Sequence, residues 1–158
     1  MITFMYRIAI VDDNDTWCFV MAHLLRQHHY KVSTFTDAYS FQREAGSFDL
    51  AIIDFSIPPR RYQVAIDGPE LISQLKRQLP HPPLFILISS FFMDDILSQA
   101  PELCPDADAC MSKNIESAEL LQTIRKLLAT RQSPIEDSNS FSQSSYISRF
   151  HRNSALNK

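Results

Sequence analysis

The chain has 158 residues, 45% of them hydrophobic and 21% charged, with a net charge of −3; this is the make-up of a folded globular protein and excludes a disordered one. The length suits one domain able to bury about two-thirds of the surface its unfolded form exposes. The mildly acidic balance gives no footprint for nucleic acid, whose binders carry basic patches and a high pI. No run approaches the roughly 20 apolar residues that span a bilayer.

The N-terminus, Met1 to Val11, has neither a long apolar core nor a small-residue cleavage site, so a cytoplasmic protein with no membrane partner is expected. Cys18, Cys104 and Cys110 form no CxxC pair and read as reduced thiols. Cys18 and Cys110 lie in periodic apolar segments, where cysteine acts as a small buried hydrophobe.

In chain order, Ile8-Ala9-Ile10-Val11 reads as a strand that ends in Asp12-Asp13. Asp15 to His28 places Trp17, Val20, Met21, Leu24 and Leu25 at helical spacing. Asn14 or Asp15 can cap that helix, and His29 stands where the chain commonly turns left-handed. His28 and His29 have no third ligand in register and read as a solvated helix end. Tyr30 to Phe35 reads as a half-exposed second strand, and Asp37 opens a short helix through Ala45 that Gly46 stops.

Leu50-Ala51-Ile52-Ile53 is the apolar run of a strand covered on both faces, and it ends abruptly in Asp54. The connection from Phe55 to Asp67 holds Pro58-Pro59 and Arg60-Arg61; paired prolines forbid helix, so it reads as a long loop beside the strand end, a candidate specificity element. Glu70 to Leu79 is helical, with Pro69 in its first turn. Leu84 to Ile88 is a fourth strand ending at Ser89-Ser90, Met93 to Ala100 a short helix, and Leu103 to Asp108 a turn-rich link. Ala109 to Ser112 is a fifth strand before Lys113. Glu116 to Thr130 aligns Leu120, Leu121, Ile124, Leu127 and Leu128 on one stripe. Strands alternating with helices predict an α/β fold, a doubly wound five-stranded parallel sheet with helices on both faces. From Ser133 onward, 26 residues hold eight serines and no long apolar run, which reads as a flexible tail. Within it only Tyr146, Ile147 and Phe150 could form an apolar docking cluster.

The strand ends thus bring Asp12, Asp13, Asp54, Ser89 and Lys113 to one edge of the sheet, the edge where open α/β folds bind ligands. Converging carboxylates repel, and a divalent cation relieves the conflict; an all-oxygen donor set suits Mg²⁺. A carboxylate there can attack phosphorus to give an aspartyl phosphate, while a cation and an ammonium neutralise the transferring group.

Ile8-Ala9-Ile10-Val11-Asp12-Asp13, Asp54, Asp67-Gly68-Pro69-Glu70-Leu71, Ser89-Ser90, and Ala107-Asp108-Ala109 with Lys113 together resemble the receiver domain of two-component response regulators, over about residues 6 to 130. The resemblance implies a flavodoxin-like receiver topology over residues 1–132, with 133–158 as the tail. It implies that Asp54 takes a phosphoryl group from a histidine kinase or histidine phosphotransfer protein. Asp12, Asp13, Asp54 and the carbonyl of Ser56 would hold Mg²⁺, and Ser89 and Lys113 would contact the phosphoryl oxygens. Such a protein is a phosphoacceptor in a phosphorelay rather than an enzyme, at most removing its own phosphoryl group. It signals to an unknown downstream protein or through a homodimer.

Two positions depart from the family pattern. Cys110 stands where an aromatic switch residue is usual, and Asn114 replaces the proline common after the lysine, so phosphoryl transfer is expected to be intact and its readout altered. The loop after Asp54 is also longer than usual. The rival from another class is a phosphohydrolase of the haloacid dehalogenase type, with Asp13-Asn14-Asp15 as its Asp-x-Asp. It leaves Asp54 without a role, and Asp94-Asp95 precedes rather than follows Lys113. A third reading is a receiver-like interaction module that is never phosphorylated.

Overall fold

A computed structural model describes residues 5–92, 96 and 98–131. Strands β1 (Arg7–Val11), β2 (Lys31–Phe35), β3 (Leu50–Asp54), β4 (Leu84–Ser89) and β5 (Ala109–Ser112) form one parallel sheet in the order β2-β1-β3-β4-β5. The register pairs Ile8 with Leu50 and Ile53 with Leu87, so the ends of β1, β3 and β4 finish side by side. The helices are α1 (Asp15–Gln27), α2 (Ala38–Gln42), α3 (Gly68–Gln78), α4 (Ala100–Leu103) and α5 (Ser117–Leu128).

Successive residues of a strand face opposite sides, and this divides the core in two. Ile8, Ile10, Leu50, Ile52, Ile86 and Ile88 pack with Cys18, Ala22 and Leu25 of α1 and with Leu120, Leu121, Ile124 and Leu128 of α5. Ala9, Val11, Ala51, Ile53, Phe85 and Leu87 pack on the other side with Ala38 and Phe41 of α2 and Leu71, Ile72 and Leu75 of α3. Right-handed crossovers explain the division. The chain steps outward once, from β1 to β2, and then runs the opposite way through β3, β4 and β5; α1 is thereby placed on one face and the later crossovers on the other. The doubly wound five-stranded sheet read from the sequence is what forms.

Local chemistry sets the element ends. The Asn14 side chain accepts from Trp17 N at 3.0 Å and caps α1. His29 has φ 66°, the left-handed turn expected after that helix. Asp67 caps α3 by accepting from Glu70 N at 2.9 Å. The second helix is shorter than expected: α2 ends at Gln42, and Ala45–Ser47 form a 3₁₀ turn that contains Gly46. There Glu44 N donates to Phe41 O and Ser47 N to Glu44 O, a tighter winding that buries Ala45 completely. The short α4 falls partly where a turn-rich link was expected. Half of the helix expected over 93–100, and the tail from 133, lie outside the described residues. Among the described residues no helix is long and apolar enough to cross a membrane.

Candidate functional site

The site lies at the carboxyl ends of β1 and β3, where the winding direction changes. Loops leaving those two strands diverge to opposite faces of the sheet and open a crevice between them. Asp12 and Asp13 follow β1 and Asp54 ends β3, and one carboxylate oxygen from each lies within 4.8 Å of the others. Asp12 is fully buried, Asp54 nearly so and Asp13 exposed. The Asp12 side chain is fixed from the backbone, its Oδ1 accepting from Asn14 N at 2.9 Å.

Lys113 reaches across from the end of β5. Its Nζ stands 2.5 Å from Asp12 Oδ2 and 3.5 Å from Asp54 Oδ2. It also lies 4.9 Å from the centre of the Trp17 ring, so α1 supplies a cation–π wall. Burial works against the lysine's charge, but Asp12 and Asp54 outweigh it and hold its pKa above the ordinary value. For Asp54 the balance falls the other way. Burial and then the Asp12 charge push its pKa up to about 6, against the opposing pull of Lys113 and the Ser56 backbone N–H.

One ammonium does not neutralise three carboxylates in so small a space. Among the described residues, Asp12 Oδ2 is the one buried side-chain oxygen or nitrogen without an aligned hydrogen bond, and the Lys113 ammonium beside it is its ion-pair partner. A buried carboxylate oxygen left in this state, with two further carboxylates beside it, fits a hard cation that takes oxygen ligands.

Ser89 ends β4, one residue beyond Ile88, the register partner of Asp54. It is buried, its Oγ accepts from Phe91 N at 3.1 Å, and its carbonyl accepts from Lys113 N at 3.0 Å, which ties the serine and lysine loops together. Ser56 contributes through its backbone N–H, which favours the charged form of Asp54 and pulls its pKa down. The residues predicted from strand ends therefore come together at one edge. Gly68 and Trp17 were missed as site residues. A Cβ on Gly68 would sit 2.3 Å from the Asp54 carbonyl oxygen and 2.9 Å from Leu87 Cδ1, so only glycine lets α3 begin against the back of Asp54. Gly68 N donates to Phe55 O at 2.8 Å across the same contact. A lone glycine before a proline signals a helix start, whereas what it touches is set by folding.

The sequence profile of the response regulator receiver domain matches residues 8–125. The chain belongs to the response regulator receiver family. The family is one of signalling phosphoacceptors, and membership displaces the haloacid dehalogenase reading, in which Asp54 had no part. No functionally curated protein matches this receiver in sequence. Solved structures similar to it include the BeF3-activated DrrB receiver domain, at 23% identity and TM-score 0.65, covering 80% of this chain and 99% of that one. A CheY-like receiver domain protein from Methanospirillum hungatei JF-1 is 23% identical, with TM-score 0.66 and coverage of 80% and 95%. The BeF3-activated N-terminal receiver domain of Klebsiella pneumoniae RstA is likewise 23% identical, with TM-score 0.62 and coverage of 77% and 97%. At these identities the likeness is one of fold. Cys110, at the usual place of an aromatic residue in the receiver's fifth strand, is half-buried against the α3-side core, and burial raises its thiol pKa.

Proposed function

We propose that this receiver accepts a phosphoryl group on Asp54 from a phosphohistidine of a kinase or phosphotransfer protein. An Asp54 carboxylate oxygen attacks phosphorus, the phosphorus–nitrogen bond breaks, and its electron pair leaves with the imidazole. The observation that carries this reading is the pairing of a nearly buried carboxylate at a strand end with a lysine ammonium 3.5 Å away. The Asp54 backbone is held from behind by Gly68, so its carboxylate faces the crevice in a fixed position. Lys113, shared between Asp12 and Asp54, is placed to follow charge onto the incoming phosphoryl oxygens. The Ser89 hydroxyl already accepts from Phe91 N, and this leaves its proton to donate to a phosphoryl oxygen.

Asp12, Asp13 and Asp54 with the carbonyl of Ser56 would hold Mg²⁺, an assignment supported by the convergence of one oxygen from each of the three carboxylates within 4.8 Å. When bound, the ion supplies positive charge to the carboxylates and to the transferring group. Signal then leaves through a protein contact, with a downstream partner or a second copy of the chain, in the cytoplasm.

The test is labelling with acetyl phosphate and Mg²⁺, read by intact mass. The wild type is expected to gain one phosphoryl group and Asp54→Asn none, with unchanged circular dichroism. Equal labelling of the variant would remove Asp54 from the role, and an unlabelled wild type would favour a module that is never phosphorylated.

A further inference from the structure

The connection between β3 and α3, residues 55–67, is long for a strand-to-helix link, and the chemistry proposed above uses only its beginning. Its middle is fastened to the far side of the sheet. Arg60 Nη2 donates to Thr36 Oγ1 at 2.5 Å, and Arg60 Nε lies 3.5 Å from Asp37 Oδ2. Asp37 is buried and also caps α2 through Ser40 N at 2.9 Å and Ser40 Oγ at 2.6 Å, so the anchor point is itself rigid. The Tyr39 hydroxyl donates to Val64 O at 3.3 Å. Since β1 lies between β2 and β3, the loop must cross above the end of β1, the strand that carries Asp12 and Asp13.

Between its two anchors the loop makes a tight turn. Gln63 N donates to Arg60 O and Arg60 N to Gln63 Oε1, both within the turn. Tyr62 sits at φ 67°, a left-handed conformation that a bulky residue keeps only where its surroundings impose it, and its side chain is fully exposed. Val64 is exposed as well. Below the turn, a cleft of about 450 Å³ is lined by Asp13, Asp15, Thr36, Pro58, Pro59 and Arg60, and Asp13 joins it to the carboxylate cluster.

We propose that the turn Arg60 to Val64 is a recognition element for the protein that donates the phosphoryl group, with Tyr62 as the contacting residue and Arg60 as the positioning residue. The inference rests on the phosphoacceptor reading of Asp54. A donor protein has to bring its phosphohistidine into bonding distance of Asp54 and to cover the strand-end edge around it, about 800 Å² per partner in an ordinary interface. The loop that walls the cleft at Asp13 stands on that edge. Tyrosine and arginine carry a large share of the energy at such contacts, and a turn already bolted in place loses little freedom on binding. A downstream partner or a second copy is under no such obligation to sit beside the acceptor.

The experiment compares two phosphodonors on the full chain. Autophosphorylated histidine kinases and phosphotransfer proteins of the same cell are surveyed for one that labels the wild type, and that donor is then used beside acetyl phosphate. Tyr62→Ala is expected to lower kcat/KM for the protein donor about thirtyfold, the loss of one interface hot spot, through KM, with acetyl phosphate labelling unchanged. Arg60→Ala should behave in the same way, and Arg60→Lys, which keeps the charge but not the planar fork, should fall between. The proposal is overturned if protein-donor transfer is equal in wild type and Tyr62→Ala, if both kinds of labelling fall together, or if only self-association or downstream binding changes. It is also overturned if acetyl phosphate labels the wild type but no protein donor does. A wild type that acetyl phosphate leaves unlabelled sinks the phosphoacceptor reading instead.

Discussion

Asp54 carries a conflict between its place and its charge. Burial and the neighbouring Asp12 raise its folded pKa from 3.8 to about 6. In the unfolded chain the group ionises near 3.8, so between that pH and 6 the folded state binds more protons than the unfolded one. Stability from this residue is therefore full below about pH 4 and is lost as pH rises through 6. Asp54→Asn removes the titration while keeping the shape. Without divalent cation, the variant should be more stable than the wild type at pH 7, by up to ~3 kcal/mol for a shift of this size. The difference should shrink to nothing towards pH 4. Urea unfolding of both proteins across pH 4 to 8 would show it, and a difference that does not vary with pH would mean that Asp54 is not held in this way.

At the level of the element, α3 is the helix whose start is most constrained by the site. Asp67 caps it, Pro69 occupies its first turn, and Gly68 makes the close approach to Asp54. Alanine is the better helix former by about 1 kcal/mol, yet Gly68→Ala should destabilise the protein. Its Cβ would meet the Asp54 backbone at 2.3 Å, and neither backbone nor helix can yield cheaply. Overpacking of this kind costs about 1–3 kcal/mol, and because the pressure falls on Asp54, labelling by acetyl phosphate should slow as well. Thermal unfolding and labelling rates measured together check this; a variant as stable as the wild type would show that α3 can shift outward. At the other end of the sheet Asp108 plays a purely structural part, accepting from Phe85 N at 2.8 Å and from Lys76 Nζ at 3.2 Å, and so ties β4, β5 and α3 together.

For the molecule as a whole, the two edges of the sheet divide the work. The carboxyl edge carries the carboxylates, Ser89, Lys113 and the bolted loop. The amino edge is closed by Arg131, whose guanidinium lies 3.8 Å from Asp49 and donates to Pro82 O at 2.5 Å, two residues that precede β3 and β4. Arg131, the last of the described residues, therefore lies at the edge opposite Asp54. Removal of residues 133–158 should leave acetyl phosphate labelling of Asp54 unchanged, and reduce partner binding or dimerisation if Tyr146, Ile147 and Phe150 dock. Labelling rates and sedimentation of full and shortened chains, with and without phosphorylation, are the measurements. A fall in labelling would mean that the tail reaches the site after all.

Strand ends were legible because chemistry and periodicity change together there. An apolar run covered on both faces stops at a residue that cannot be buried unpaired, and Val11-Asp12 and Ile53-Asp54 show this within two residues, while the half-buried edge strand β5 passes from Met111 through Ser112 to Lys113. Such local contrast, repeated in order along the chain, was enough for the sheet and for most of the site. Caps and the left-handed turn at His29 were legible for the same reason, since each depends on a few adjacent residues. The end of α2 was not, because it is set by the need to turn Ala45 into the core rather than by Gly46. Gly68 against Asp54, Trp17 over Lys113 and Arg60 on Asp37 were also beyond reach. Each is a contact that exists only once the tertiary fold has formed, α3 docked behind β3, β5 brought level with the start of α1, and the loop after β3 laid across to the end of β2, and no local pattern records which groups such packing brings face to face.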